Sequence, residues 1–181
     1  RGGDFLYSDD EFTVMKNDVA LCKHLGCDGI VTGILNRDGT VDTERCGQLV
    51  NLAYPLGVTF HRAFDRTADP FKALEEIIEM GCERILTSGQ TPSINDGLDL
   101  VSKLIAKSEE RIIIMPGSGV RAGNIAELAA RTNATEFHTS ARTTIQSNMD
   151  FRSEKMNEDL KIISVDEQEV RNIKEILSTL S

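Results

Sequence analysis

The sequence predicts an α/β fold in which short parallel strands alternate with helices. Three observations carry this reading. Runs rich in β-branched residues start at 29, 57, 84, 112 and 136, so successive starts lie 28, 27, 28 and 24 residues apart. Amphipathic helical patterns fill the intervals, as parallel βα units require. A weak repeat aligns Gly26-Cys27-Asp28-Gly29-Ile30-Val31-Thr32 with Gly81-Cys82-Glu83-Arg84-Ile85-Leu86-Thr87, two units apart. The steady period favours a closed barrel over an open doubly wound sheet. The expected fold is a TIM-type (β/α)8 barrel, here incomplete, with about five strands in one partial domain over residues 1–181. Such a barrel needs eight strands and typically about 250 residues. About three units are therefore expected upstream, with Arg1 at the end of the third strand. The opening Arg1-Gly2-Gly3-Asp4-Phe5 has no initiator Met and no apolar signal region, and reads as mid-protein sequence. Without the upstream units, a sheet edge and the inner wall would stand exposed.

The elements follow in order. Ser8-Asp9-Asp10-Glu11 is a capping box, and Phe12, Met15, Val19 and Cys22 form the apolar stripe of the helix it opens. Strands are expected at 29–33, 57–61, 84–88, 112–116 and 136–140. Asp69-Pro70 is an N-cap followed by a first-turn proline. Phe71, Leu74 and Ile78 share that helix's inner face, and Gly81 stands at its C′ position. The polar stretch 143–160 is expected to be a surface loop. Ser164-Val165-Asp166-Glu167 reads as a second capping box, opening a last helix with Val170, Ile173, Ile176, Leu177 and Leu180 on its core face.

Composition narrows the partners. Hydrophobic content is 40% and charged content 27%, ordinary for a soluble globular chain. The formal net charge of −9 disfavours nucleic acid and anionic membrane as partners. It leaves room for a local basic pocket that takes a small anion. No apolar run approaches a membrane span. The four cysteines form no C-x-x-C pair, and free thiols in a reducing cytosolic setting are the default.

Function in such barrels sits at the C-terminal ends of the strands. Alternation predicts three inward layers: Gly29, Arg84 and Glu136 lowest, then Val31, Leu86 and His138, then Gly33, Ser88 and Ser140. Phe137 and Thr139 would face the helices. Arg84 and Glu136 should meet as a structural ion pair, with a catalytic carboxylate as the alternative reading. A lone histidine is usually a satisfied core residue. Here Thr59 and His61 share the polar parity of their strand, and Arg62 and Asp65 follow in the loop. His61, Asp65, Glu136 and His138 are therefore the candidate catalytic pocket. Met115-Pro116-Gly117-Ser118-Gly119 is a strand end and Gly-rich turn whose N–H groups suit an anion. With Arg62, Ser88, Ser140 and Arg142, the residues Gly117, Ser118 and Gly119 make the candidate anion site; an ordinary tight turn is the alternative. Asp4 is an equal choice between an ordinary turn and a ligand contact.

The thiols read mostly as packed residues, since free Cys behaves as a small hydrophobe. Cys46 lies at helical spacing with Leu49, Val50 and Ala53, and Cys82 precedes a strand at the end opposite the usual active site. Cys22, His24 and Cys27 are placed to approach one another. As soft ligands, Cys22 and Cys27 are the candidate metal pair.

Arg1-Gly2-Gly3-Asp4-Phe5, Thr59-Phe60-His61-Arg62-Ala63-Phe64-Asp65, Ile85-Leu86-Thr87-Ser88-Gly89, Met115-Pro116-Gly117 and Glu136-Phe137-His138 resemble the signature blocks of the CutC copper-homeostasis family, in order over about 140 residues. The chain looks like a eukaryotic member. The resemblance implies a (β/α)8 barrel, Cu(I) as bound copper, homo-oligomers, and a cytosolic location with the nucleus as a second compartment. Two departures stand out: the upstream units, and Ser118 where many members carry a third glycine. Whether the chain is an enzyme stays open. Copper handling is one reading; an enzyme acting on a small anionic or phosphorylated molecule is another; an inert scaffold is the third.

Overall fold

The computed structural model describes residues 3–180. Arg1 and Gly2 of the opening motif lie outside them. The elements run α1 (Asp9–Leu25), β1 (Gly29–Thr32), α2 (Thr43–Ala53), β2 (Gly57–Phe60), a 3₁₀ turn (Arg62–Arg66), α3 (Pro70–Glu79), β3 (Arg84–Thr87), α4 (Ile94–Ser108), β4 (Ile113–Pro116), α5 (Ile125–Thr132), β5 (Arg142–Ile145), β6 (Ile162–Val165) and α6 (Glu167–Leu180).

Local chemistry sets the helix ends. Ser8 Oγ accepts the Glu11 N–H while Glu11 Oε2 accepts the Ser8 N–H, closing the expected capping box of α1. That helix ends at Gly26 in the left-handed conformation. Asp69 caps α3 with Oδ1 accepting from the N–H groups of Phe71 and Lys72, and Pro70 follows at the first turn. The inner face of α3 is Ala73, Leu74 and Ile77, whereas Phe71 is left at the surface.

The strands β1-β2-β3-β4 form one parallel sheet in sequence order, with crossover helices on one side. This is the α/β, TIM-type architecture, an incomplete barrel. The alternation is plain in burial. Val58, Phe60, Ile85 and Ile114 are buried and face the helical layer of Leu49, Ala53, Leu74, Ile77, Val101 and Leu104. The opposite parity carries Thr59, Arg84, Leu86, Ile113 and Met115, all only half-buried. Val31, on this parity, is 64% exposed. The inner wall of the sheet is thus open, as four parallel strands cannot close on themselves.

Three expectations need correction. The run 136–140 does not form a fifth ladder. It lies extended beside β4, and its link is the His138 N–H donating to the Pro116 carbonyl at 2.9 Å. Thr139 Oγ1 donates to the Val120 carbonyl, and the backbone then turns at Ala141, which diverts the chain before a ladder can extend. The stretch 143–160 is not all loop, because β5 pairs antiparallel with β6, Arg142 opposite Val165 and Ile145 opposite Ile162. Thr143, Thr144, Ile145, Ile162 and Ile163 are β-branched, which favours that pairing. Finally, Ser164 belongs to β6 and does not cap α6. Asp166 does so, its Oδ1 accepting from the N–H groups of Gln168 and Glu169. On α6, Ile173 is buried and Ile176 and Leu177 pack on the core, while Val170 and Leu180 are exposed. No described helix is long and apolar enough to cross a membrane.

Candidate functional site

The C-terminal ends of β2, β3 and β4 present most of the polar residues singled out in the sequence. After Phe60 the chain enters the 3₁₀ turn, which begins with His61 Nδ1 accepting the Ala63 N–H at 3.2 Å. His61 stacks obliquely on Phe5, with ring centroids 4.8 Å apart. Gly33 makes room for it, since a Cβ there would lie 2.7 Å from Nδ1. Burial pushes the imidazole below its ordinary pKa. His61 is therefore a neutral, packed ring whose Nδ1 is an acceptor.

The same turn delivers Arg62 and Asp65. Asp65 has a side chain only 7% exposed, and donors surround it. Its carboxylate accepts from Thr87 Oγ1 at 2.5 Å, the Ser88 N–H at 3.0 Å, the Gln90 N–H at 3.2 Å and Arg62 Nε at 2.6 Å. Arg62 Nη2 also donates to Ser88 Oγ at 2.7 Å. A buried carboxylate is tolerable only when satisfied in this way. The outcome is a guanidinium held in one orientation.

Arg62 forms one wall of a pocket of about 270 Å³. Ser118 and Gly119 of the Gly-rich turn, His138, Ser140 and Arg142 line it as well. Arg121, which the sequence reading missed, lines it too. Its signal was its place directly after the Gly-rich turn. The turn is left-handed at both Ser118 (φ 69°) and Gly119 (φ 98°). Ser118 bears this conformation without glycine's freedom, helped by its Oγ donating to the Pro92 carbonyl at 2.9 Å.

Other residues of the expected constellations stand elsewhere. Gly117 is buried behind the pocket, with its N–H committed to the Thr87 carbonyl at 2.9 Å. Ser88 is fully buried and acts through Arg62 and Asp65, not on the pocket surface. His61 faces Phe5 and Gly33, away from His138's pocket. Glu136 is at the other end of the sheet, where Arg84 Nε and Nη2 donate to its two oxygens at 2.7 and 3.2 Å. Donating these hydrogen bonds to the Glu136 carboxylate, together with its charge, raises the Arg84 pKa. The expected Arg84–Glu136 ion pair thus forms, half-exposed because the inner wall is open. His61, Asp65, Glu136 and His138 thus do not share one pocket. Asp4 is exposed, and its Oδ1 accepts the Leu6 N–H in the lead-in to α1.

The thiols divide into two pairs. Cys46 and Cys82 are buried, and burial pushes both up to about 12. They stay protonated and packed. Cys22 and Cys27 are half-buried at the opposite end of the barrel from the arginine pocket. The left-handed Gly26 folds the chain back, so that the Cys27 N–H donates to the Cys22 carbonyl at 3.1 Å. Partial burial raises the Cys22 thiol, and a side-chain hydrogen bond with Cys27 raises it further. A groove of about 320 Å³ between α1 and β1 opens beside Cys22, with Met15 and Asp18 on its wall. His24 is exposed and joins no such cluster; among the described residues no three His, Cys, Asp or Glu side chains gather as metal ligands.

Comparison with known proteins agrees with the motifs. A family model described as the CutC family matches residues 1–143. A CutC family protein of Parabacteroides distasonis is 47% identical over 175 residues, covering 97% of this chain and 72% of that protein. The human protein named copper homeostasis protein cutC homolog is 50% identical over 153 residues, covering 84% of this chain and 56% of that one. The crystal structure of CutC from Streptococcus agalactiae superposes with a TM-score of 0.73 at 32% identity, covering 76% of this chain and 68% of that one. The chain therefore spans between about half and three quarters of the length of these relatives.

Proposed function

The chain belongs to the CutC family, and from that premise we propose that it serves copper homeostasis by holding Cu(I) between Cys22 and Cys27. The observation that carries this reading is the turn that closes α1, where the Cys27 N–H donates to the Cys22 carbonyl at 3.1 Å and brings these two half-buried cysteines together at one helix end. The donor set suits the ion. Soft thiolates select Cu(I), which accepts as few as two of them. Zinc would ask for four ligands, more than gather here. Met15, a soft thioether, lines the groove beside Cys22 and offers a third contact. Ligation needs thiolates, and the Cys22 thiol is held protonated above its usual range. Uptake therefore displaces protons, and affinity rises with pH until that thiol ionises by itself. All four cysteines are free, which fits copper handling in a reducing compartment such as the cytosol.

Copper K-edge X-ray absorption on the Cu(I)-loaded chain tests the ligands directly. The expected first shell is sulfur with a coordination number of two to three. A first shell of nitrogen or oxygen would overturn the assignment.

A second reading, an enzyme for a small anionic molecule, is favoured by the pocket of Arg62, Arg142 and His138. In that reading His138 is the group placed to exchange a proton with a bound molecule. Asp65 and Glu136 would take no direct part, since their oxygens are committed to protein donors.

A further inference from the structure

We propose that the pocket between the Gly-rich turn and the start of β5 is a binding site for a phosphate monoester. The site stands at the opposite end of the barrel from Cys22 and Cys27, so it holds or fails independently of the copper reading.

Charge is the first argument. The chain has a formal net charge of −9, yet three arginines line this pocket and no carboxylate does. Arg62 is balanced by Asp65 behind it. Arg121 and Arg142 make no ion pair among the described residues, so the pocket keeps about two uncompensated positive charges, matching a phosphate dianion. Geometry is the second. Arg62 is locked by Asp65 and Ser88 before any ligand arrives, which spares the ordering cost of a free side chain. Arg121 spends one nitrogen on the Arg142 carbonyl at 3.0 Å, which fixes the start of β5 against the turn and leaves its other donors free. The N–H groups of Ser118 and Gly119 have no backbone acceptor among the described residues. Backbone donors beside guanidinium groups are the usual means of holding phosphate.

Size decides the ligand class. A water occupies about 30 Å³ in the liquid, so a pocket of about 270 Å³ exceeds the five heavy atoms of inorganic phosphate. The remainder is bounded by Leu86 and by the exposed ring of His138. A small organic body esterified to the phosphate fits that remainder; a bare ion leaves it empty.

The test is isothermal titration of the 181-residue chain at low salt with two probes, inorganic phosphate and glycerol 3-phosphate. Both are expected to bind saturably at one site, the ester more tightly. Arg142 is exposed and its side chain makes no hydrogen bond among the described residues, so Arg142→Gln should fold normally. That substitution is expected to weaken both probes about tenfold or more, the usual loss for a charge-assisted contact. Arg121→Gln is the second variant, with the same direction expected. Equal affinity for the two probes would overturn the ester assignment. Absence of saturable binding by the folded chain, or undiminished binding in both variants, would overturn the site.

Discussion

Ser118 shows how a single residue tunes the site. It stands in left-handed backbone (φ 69°) where glycine would be unstrained. A side chain in that conformation costs about 1–2 kcal/mol. The hydrogen bond from Oγ to the Pro92 carbonyl returns about 1 kcal/mol. Two substitutions separate these terms. Ser118→Ala keeps the strain and loses the bond, so urea unfolding should show a loss of about 1 kcal/mol. Ser118→Gly loses both and should be near neutral or slightly stabilising. Were the alanine variant as stable as the parent, the Oγ bond would contribute nothing to the turn. At this scale the sequence was informative about residue types but less so about partners. His138, Arg62, Ser118, Gly119, Ser140 and Arg142 do meet at one pocket. His61, also expected inward, has its ring occupied by Phe5 and Gly33. That contact depends on a neighbouring strand end and leaves no trace in the spacing around His61.

Among the elements, α1 depends most visibly on its ends. The reciprocal Ser8–Glu11 bonds satisfy two of its orphan groups, and Gly26 closes it and presents Cys27 to Cys22. Ser8→Ala removes the side-chain acceptor and should cost about 1 kcal/mol. For a domain of this size that is a fall of about 2–4 °C in the melting temperature; an unchanged melting curve would mean that α1 is held by packing alone. The parallel strands β1 to β4 were readable because burial on the helical side imposes a regular run of β-branched residues. The run at 136–140 carries the same pattern, yet it pairs through a single backbone bond. Pattern reports which face a residue prefers, whereas a ladder also needs the next turn to continue in register. The β5–β6 hairpin escaped notice for a related reason. Its strands are four residues each, with a polar stretch between them and no tight-turn signal. Ser164 and Glu167 mimic a capping box, but the pairing of β6 holds Ser164 extended and passes the cap to Asp166.

For the molecule as a whole, the two candidate sites occupy opposite ends of one parallel sheet. The helical side of that sheet is well packed, as Phe60, Leu74, Ile85 and Leu104 show. Its other side is open, with Val31 exposed and the Arg84–Glu136 pair half in solvent. The barrel period was legible in the sequence because each βα unit repeats the same burial problem. The openness followed from counting strands against the eight needed for closure. The proposed thiol pair was the least legible feature, since two thiols five residues apart are ambiguous until the left-handed Gly26 turns the chain so that the Cys27 N–H meets the Cys22 carbonyl. The proposal that Cys22 and Cys27 hold Cu(I) is checked by a competition titration against a chromogenic Cu(I) chelator. The parent chain, Cys22→Ser/Cys27→Ser and Cys46→Ala/Cys82→Ala would be compared, each checked for folding by circular dichroism. Stoichiometric binding is expected of the parent, with loss in the first double variant and retention in the second; binding that survives in Cys22→Ser/Cys27→Ser, or a folded parent that fails to compete, would rule out this thiol pair as the copper ligands.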